Sequence, residues 1–292
     1  MQMRLKVVPL FSLAVVLITA LIPSRSLAAE VLVVADTQLR PAMEIISGIK
    51  KSLGRSLKII PPEEARQGLK SVVEKEGTRV VVALGREALT EALTLPSHIP
   101  VIFDMVVVPP IITRPNTTGF YLATPVREYT DLIRKHLRSI RQLAVIGSRD
   151  QLTLLGRGEG MAYTVRDTSE FVATMRRLDA TDAILLLPDT SLLTTAALGE
   201  AYLSSFRKGI PLFGVSERNV REGALLALVV DMVNVGRLIG DAAAKALKGD
   251  DIGQLPPSPP RKFDIYLNTA TARRMKIKIP DEMVRMAKRV YP

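Results

Sequence analysis

The sequence contains no cysteine in its 292 residues. This absence excludes a disulfide scaffold, a zinc site that uses thiolates and a cysteine nucleophile. It also excludes the lipid-modified cysteine at the cleavage site of a bacterial lipoprotein. Histidine is scarce as well, because His98 and His136 are the only two and no metal-ligand spacing connects them. We therefore expect no metal site and no cofactor.

Catalytic motifs are also missing from the sequence. It contains no G-x-S-x-G, no H-E-x-x-H and no legible pairing of a nucleophile with a base. The glycines of "GRGEG" lack the spacing and the strand-to-helix context of a phosphate-binding loop, so this segment predicts a flexible turn. Aspartates at strand ends, such as Asp36 and Asp231, are too common in α/β proteins to indicate an enzyme. We expect no catalytic activity.

A long apolar run occurs only in the first segment of the chain. Basic residues in "MQMRLK" precede the apolar stretch 7–22, and the small residues of "PSRSLAAE" follow it. This order is typical of a secretory signal peptide cleaved after Ala28 or Ala29. The alternative is an uncleaved anchor, although about 16 apolar residues fall short of the roughly 20 that span a bilayer. We predict a signal peptide over residues 1–29 and a monomeric periplasmic protein.

Basic residues outnumber acidic ones, 40 to 29, which gives a formal net charge of +11. In a cytoplasmic protein this excess would suggest nucleic acid. With an export signal, an anionic membrane surface or an acidic ligand is the better candidate. The basic residues also spread along helix-like segments such as "LIRKHLRSIR", where they would form ordinary solvated faces. We expect no nucleic-acid partner.

Two halves of the chain repeat one alternation of strands and helices. Short β-branched runs such as "EVLVVAD" and "TRVVVALG" alternate with amphipathic segments, which is typical of a doubly wound parallel sheet. The phrase "IPVIFD" at 99–104 returns as "IPLFGVS" at 210–216, each time after the third helix of its half. The sequence therefore predicts two α/β lobes built on one repeated unit. In the second lobe, the first helix after Ser148 is shortened to a turn or two, or is absent.

Ligands of open parallel sheets bind beyond the carboxyl ends of the strands. Two such lobes form a cleft that can close around a small molecule by a hinge motion. We therefore expect ligand contacts among the polar residues at these strand ends. These residues are Asp36, Thr37, Gly85, Arg86, Glu87 and Asp104 in the first half, and Ser148, Arg149, Asp189, Thr190, Ser191, Ser216 and Glu217 in the second. From them we select Asp36, Thr37, Gly85, Arg86, Glu87, Asp104, Ser148, Asp189, Thr190 and Ser216 as candidate ligand contacts.

Arg86 stands where the third helix of the first half is expected to begin. A cation beside the free amide groups of a helix start is unfavourable by roughly 0.3–1 kcal/mol unless an anion joins it. One interpretation is an anion held by Arg86 and these amides. The alternative is a solvent-facing arginine paired with Glu87 or Glu91. Asp189 is also open to two interpretations, because it can cap the long helix that follows or contact a ligand.

Several segments resemble the ABC transporter substrate-binding proteins of the tryptophan/tyrosine type. The resemblance covers nearly the whole chain after residue 29. It implies a type I periplasmic-binding-protein fold, with two α/β lobes joined by three crossovers. The segments are "VVALGREALTEAL", "IPVIFDMVVVP", "NTTGFYLATP", "DAILLLPDTSLL", the run from Ile210 to Asp250 and the tail "LNTATARRMKIKIPDEMVRMAKRVYP".

The resemblance also implies lobes, a function and ligand contacts. The first lobe would comprise residues 30–120 and about 231–260, and the second 121–230 and about 261–292. The family captures small solutes, aromatic amino acids among them, for an ABC permease in the inner membrane. We predict a small anionic or zwitterionic ligand; the alternative is a degenerate binding protein that serves as a sensor or interaction module for a membrane partner. The contacts that the resemblance implies are Asp36, Thr37, Gly85, Arg86, Glu87, Asp104, Asp189, Ser216 and Asp231.

Overall fold

A computed structural model describes residues 29–108, 111–156, 158–189 and 191–292. The predicted signal peptide, residues 1–29, lies outside these ranges except for its last residue. The described residues form a five-stranded sheet followed by a seven-stranded sheet. Within these ranges, no helix is long and apolar enough to cross a bilayer. The predicted α/β class with two parallel-dominated sheets is confirmed.

The first sheet is wholly parallel and has the order β2-β1-β3-β4-β5. Helices cover both of its faces, so its central strands are apolar on both sides. Its strands are β1 (Val31–Val34), β2 (Leu57–Ile60), β3 (Val80–Leu84), β4 (Val101–Asp104) and β5 (Thr117–Gly119). Its connecting helices are α1 (Arg40–Leu53), α2 (Pro62–Glu76) and α3 (Arg86–Ala92).

The second sheet has the order β12-β11-β10-β9-β8-β6-β7, and only the β10–β11 pair is antiparallel among its described pairings. Its strands are β6 (Leu143–Gly147), β7 (Met161–Thr164), β8 (Ala183–Leu186), β9 (Leu212–Gly214), β10 (Leu226–Val230), β11 (Phe263–Asn268) and β12 (Arg289–Tyr291). The helices after β5 are α4 (Val126–His136), α5 (Arg149–Gln151), α6 (Thr168–Arg177), α7 (Thr195–Lys208), α8 (Glu217–Glu222), α9 (Met232–Lys248), α10 (Thr269–Arg274) and α11 (Asp281–Met286).

The predicted internal repeat is visible in the strand order. The order β7-β6-β8-β9-β10 in the second sheet reproduces β2-β1-β3-β4-β5 in the first. The repeated phrase forms β4 in one sheet and β9 in the other, so it occupies the fourth position of the unit in both. The prediction of one repeated α/β unit is therefore confirmed.

The first helix of the second unit is short, as the sequence predicts. Only Arg149–Gln151 are α-helical, and a π-helical turn, Leu152–Gly156, follows directly. The corresponding helix of the first unit, α1, has 14 residues. The shortened element still places its first residues at the carboxyl end of β6, where they face the other sheet.

The expected helix over "LIRKHLRSIR" is displaced toward the N-terminus in the structure. Helix α4 begins at Val126, directly after Pro125, and ends at His136, so the second half of that segment is not helical. Pro125 fixes an extended entry into the helix. Leu137 leaves it with φ −122° and ψ 56°. The basic residues at the end of α4 lie where they interact favourably with the helix dipole.

The chain passes between the sheets three times, in agreement with the implied crossovers. It leaves the first sheet after β5, returns after β10 with helix α9, and enters the second sheet again at β11. Helix α9 packs against α1 with backbone in contact with backbone. A Cβ on Gly236 would overlap the carbonyl oxygen of Ile45, and one on Gly48 would overlap that of Val233. This close packing holds α9 on the first sheet.

Candidate functional site

A cleft of about 1190 Å³ lies between the two sheets, at the carboxyl ends of their strands. Its lining comes from the segments after β3 and β4 in the first sheet and after β6, β8 and β9 in the second. The repeat explains this arrangement, because equivalent loops of the two units face each other.

Two arginines face the cleft from opposite sheets. Arg86 is the first residue of α3, and Arg149 is the first residue of α5. Both are exposed, and within the described residues neither guanidinium has a hydrogen-bond or ion-pair partner. Glu87 pairs instead with Arg66 at 3.0 Å, so the alternative pairing of Arg86 with Glu87 is not formed. Each free guanidinium presents five N–H donors suited to a carboxylate or phosphate.

Two carboxylates accompany the arginines. Asp150 lies next to Arg149, and Asp189 follows β8. Oδ1 of Asp189 accepts hydrogen bonds from the backbone N–H and the hydroxyl of Ser191, at 2.9 and 2.6 Å. In the described structure its Oδ2 has no partner. The long helix α7 begins later and is capped by Thr194, so Asp189 stabilises the preceding turn and is not the helix cap.

The remaining wall of the cleft is largely apolar. The first sheet contributes Met105, Val106, Val107, Val108 and Ile111, and the second contributes Leu154, Leu193, Leu198 and Val215. No aromatic side chain is among the described residues that line the cleft. The site therefore combines a hydrocarbon wall with charges of both signs, which suits a small molecule that has an apolar part and at least one ionised group.

Ser148 and Ser216 are used in capping. Ser148 lines the cleft and forms a capping box with Gln151, whose side-chain amide donates to the carbonyl of Pro188. Ser216 caps α8 and is paired with Asn219, whose Oδ1 accepts from the backbone N–H groups of Val215 and Ser216 at 3.1 Å. Asn219 lines the cleft and Ser216 does not. These caps fix the loops after β6 and β9.

Asp104 lies beneath the cleft and does not line it. Its side chain is fully buried, and Oδ1 accepts from the backbone N–H of Met105 at 2.6 Å. Oδ2 has no hydrogen-bond partner among the described residues. Burial raises the pKa of Asp104 to about 7. The next residue, Met105, has a φ of 60° and turns the chain into the cleft wall.

Gly85 positions the neighbouring arginine. Its φ is 102°, a conformation that side chains rarely adopt, and its N–H donates to the carbonyl of Asp104 at 2.8 Å. This turn directs the chain from β3 into α3, which begins with Arg86. Gly85 therefore supports the site through the backbone.

The other predicted contacts lie away from this cleft. Asp36 accepts from the N–H of Gln38 at 2.9 Å, and Thr37 is exposed beside it. Asp231 caps α9 and pairs with Lys262 at 3.2 Å. Thr190 lies outside the described residues. Of the predicted contacts that the structure describes, Arg86, Ser148 and Asp189 line the cleft, and their role in ligand binding stays a prediction.

Comparison with known proteins identifies the family that this chain resembles. Residues 160–291 match the sequence model of the family described as ABC transporter substrate binding protein. The predicted resemblance to the ABC transporter substrate-binding proteins is confirmed. The matched segment contains β7 to β12, and thus most of the second sheet of this substrate-binding protein fold. No curated protein matches the sequence.

Solved structures share the two-sheet fold over about nine tenths of this chain. A conserved domain protein from Vibrio cholerae is 19% identical, with a TM-score of 0.59 over 90% of this chain and 99% of that one. A domain from Streptococcus pneumonia in complex with L-Trp is 18% identical, with a TM-score of 0.56 over 89% and 99%. A substrate binding protein with adhesive properties from Clostridium difficile, in its ligand-free, open form, is 14% identical, with a TM-score of 0.66 over 89% and 98%. At these identities the likeness shows the fold, which is of the type I periplasmic-binding class.

The sequence alone does not indicate much of this cleft. Arg149 was among the polar strand ends but not among the selected ligand contacts, and Asp150 and Asn219 were not considered. The largest omission is the apolar wall at 105–108. A signal for it exists, because "MVVV" continues the apolar run beyond the end of β4, where a polar loop is the usual expectation.

Proposed function

We propose that this chain is the solute-binding component of an ABC importer. In this proposal it captures a small anionic or zwitterionic solute in the cleft and delivers it to a permease of the inner membrane. The observation that carries the proposal is a cleft of about 1190 Å³ with an unpaired arginine on each side, Arg86 from the first sheet and Arg149 from the second. The confirmed resemblance to ABC substrate-binding proteins supports it.

The lining of the cleft suggests how such a solute would be held. Its carboxylate would pair with Arg86 or Arg149, since a guanidinium forms strong charge-assisted hydrogen bonds with an anion. An ammonium group would meet Oδ2 of Asp189 or the carboxylate of Asp150. The apolar part would lie against 105–108. The L-Trp bound to the Streptococcus pneumonia domain is consistent with an amino-acid-like ligand.

We further propose that the lobes close on the solute by a hinge motion. The proposed lobes are residues 30–120 with about 231–260, and 121–230 with about 261–292. A solute that contacts both Arg86 and Arg149 has more contacts in the closed arrangement than in the open one, so binding would favour closure. The protein would act as a monomer in the periplasm, after export by its predicted signal peptide, and would bind without turnover.

A thermal-shift screen of the secreted chain against amino acids and organic acids tests this proposal. A solute at about a hundred times its dissociation constant should stabilise the protein by roughly 2.7 kcal/mol. Arg86→Gln and Arg149→Gln should each weaken binding of that solute by about tenfold or more, because each removes a charge-assisted contact. The measurement is the dissociation constant from calorimetry.

Arg138→Gln provides the matched control, since Arg138 is exposed and does not line the cleft. It should bind the solute as the unaltered protein does. Binding that is equally strong in Arg86→Gln, Arg149→Gln and Arg138→Gln would contradict the proposed site. Absence of any stabilising solute would favour the alternative of a sensor or interaction module.

A further inference from the structure

A second pocket lies on the other side of helix α8 from the cleft. Asn219 of α8 lines the cleft, whereas Glu217, Arg218 and Arg221 of the same helix line this pocket. Its volume is about 560 Å³. Arg40, at the start of α1, lines it from the first sheet, so this pocket also lies where the two lobes meet.

The lining of this pocket is strongly basic. Five of its lining side chains are cationic and a single one, Glu217, is a carboxylate. Three secondary-structure elements supply the cations, so they approach the pocket from different directions. The cations are Arg40 from α1, Arg218 and Arg221 from α8, and Lys288 and Arg289 from the segment that enters β12.

The existing ion pairs leave these cations available. In the described part of the chain the guanidinium of Arg221 forms no hydrogen bond and no ion pair, although its charge acts on Glu217 from a longer distance. The other four cations pair with carboxylates, and their own side chains are between 57% and 85% exposed. Exposed pairs of this kind contribute little to stability, so an anion can share their cations at low cost. The pairs are Arg40–Glu44, Arg218–Glu222, Lys288–Asp264 and Arg289–Glu217.

Tyr266 adds an unused hydrogen-bond donor to the pocket. It lies on β11 opposite Arg289 of β12, so the two side chains share one face of the sheet. The residue is only 8% exposed, and its hydroxyl has no hydrogen-bond partner within the described residues. Burial raises the pKa of Tyr266, so the phenol stays protonated and able to donate. Tyr266 lines the pocket, so this hydroxyl is placed to donate a hydrogen bond to an anion bound there.

Glu217 is the only carboxylate among the described residues that line the pocket, and Glu44, Glu222 and Asp264 reach its cations from outside the lining through the ion pairs given above. The carboxylate of Glu217 already accepts from the guanidinium of Arg289 at 2.9 Å and from the hydroxyl of Tyr291. The hydrogen bond from Tyr291 is the main cause of a lowered pKa for Glu217. The carboxylate of Glu217 therefore stays ionised. It is paired with Arg289 and offsets only part of the positive charge of the lining.

We propose that this pocket binds a phosphomonoester group, with Tyr266 donating a hydrogen bond and Arg40, Arg221 and Arg289 supplying charge. A phosphomonoester carries about −1.5 to −2 charges at pH 7 and has three strong acceptor oxygens. It matches several converging cations better than a carboxylate, which carries one charge. The planar arginine side chains fit phosphate oxygens in a two-pronged geometry. The group can belong to a soluble phosphate or to a lipid headgroup, and the site is independent of the solute cleft.

Calorimetric titration of the purified chain with inorganic phosphate, at low ionic strength, tests this site. We expect saturable binding that becomes weaker by about tenfold or more in Arg221→Gln and in Tyr266→Phe. Arg221→Gln breaks no ion pair, and Tyr266→Phe removes only the hydroxyl, so both variants should keep the fold. Unchanged melting temperatures would verify this.

Two control variants test the alternatives to binding in this pocket. Arg138→Gln tests whether phosphate binds through the net charge of the protein, and Arg149→Gln tests whether it binds in the solute cleft. Both variants should bind phosphate as the unaltered protein does. Equal weakening in Arg138→Gln and Arg221→Gln would mean binding by net charge alone, and loss in Arg149→Gln would place the phosphate in the solute cleft. Either result would overturn the proposal. Neither depends on whether a solute for the cleft has been found.

Sedimentation with phosphatidylcholine vesicles, with and without phosphatidic acid, identifies the source of the group. Binding to inorganic phosphate that is lost in Arg221→Gln supports a soluble phosphomonoester. Binding only to vesicles that contain phosphatidic acid, again lost in Arg221→Gln, supports a lipid headgroup. Binding to neither probe would overturn the proposal.

Discussion

At the scale of single residues, Asp104 gives the sharpest expectation. Burial raises its pKa from 3.8 to about 7, so the folded protein holds this proton more tightly than the unfolded chain does. The resulting stabilisation is complete below pH 3.8 and is lost as the pH rises to about 7. Asp104→Asn, which carries no charge, should therefore be more stable than the unaltered protein at pH 8, by at most roughly 4 kcal/mol.

Urea unfolding at pH 4 and pH 8 measures this effect. At pH 4 the two proteins should differ by less than about 1 kcal/mol, because Asp104 is protonated in the folded state there. Asp250→Asn is the control, since Asp250 is exposed, and its stability difference should not depend on pH in the same way. A stability gain for Asp104→Asn that is equal at both pH values would contradict a buried neutral carboxyl group.

The same residue shows why strand ends predict a site only in part. Asp104 ends β4, as the sequence indicates. Its side chain lies on the same face of the sheet as that of Ile102, and both are buried. Side chains two positions apart share a face, and here that face is covered by the helix layer. Arg86 follows a strand after a glycine turn and reaches the cleft. The position of a strand end was therefore predictable from the sequence. Whether the last side chain of the strand is buried or reaches the cleft depends on how far the helices cover the sheet, and the sequence does not show this.

At the scale of elements, the α1–α9 contact depends on glycine. Alanine is usually favoured over glycine within a helix by roughly 1 kcal/mol. Gly236→Ala should instead destabilise the protein by roughly 1–3 kcal/mol, because the new Cβ would overlap the carbonyl oxygen of Ile45 and push the helices apart. The measurement is the free energy of unfolding in urea.

Gly199→Ala is the matched control for this contact. Gly199 lies in helix α7, is exposed, and has open space where a Cβ would be placed. This variant should be as stable as the unaltered protein or gain up to about 1 kcal/mol. Stabilisation in both variants would show that α1 and α9 are less tightly packed than described.

Elements with a long, strong pattern were predictable, whereas several short ones were not. Strands β1 and β3 are continuous apolar runs, and α9 is a long amphipathic helix, so periodicity identified all three. Strand β5 has only 3 residues, TTG, and β12 likewise has 3, RVY. Helix α8 has 6 residues, mostly charged. Such segments take their form from neighbouring strands and caps, which leave no periodicity in the sequence.

At the scale of the whole molecule, the repeat predicted the two lobes but not the composition of the cleft. The phrase shared by β4 and β9 implied equivalent units, and hence facing crevices at their boundary. It did not reveal that the apolar run at 105–108 and the shortened helix with Arg149 would form opposite walls. These contacts join segments about forty residues apart in different lobes, and one sequence carries no direct record of such distances.

The proposed closure is a property of the whole molecule and can be measured directly. The chain has no cysteine, so a donor and an acceptor dye can be attached at two introduced cysteines without side reactions. Glu63→Cys on α2 and Arg177→Cys on α6 place them at exposed positions on opposite lobes. Addition of the solute found by thermal shift should increase energy transfer between the dyes, because closure shortens their separation.

The pair Arg138→Cys and Arg177→Cys provides the control, since both positions belong to the proposed second lobe and should keep a constant separation. When Arg86→Gln is added to the protein labelled at positions 63 and 177, the increase in energy transfer should require higher solute concentrations. The reason is that weaker binding lowers the population of closed molecules at each concentration. If solute binds fully while transfer in the cross-lobe pair stays constant, the lobes do not close. The cleft would then hold its solute as a rigid groove, and a permease could recognise loading only through groups on the solute that remain exposed.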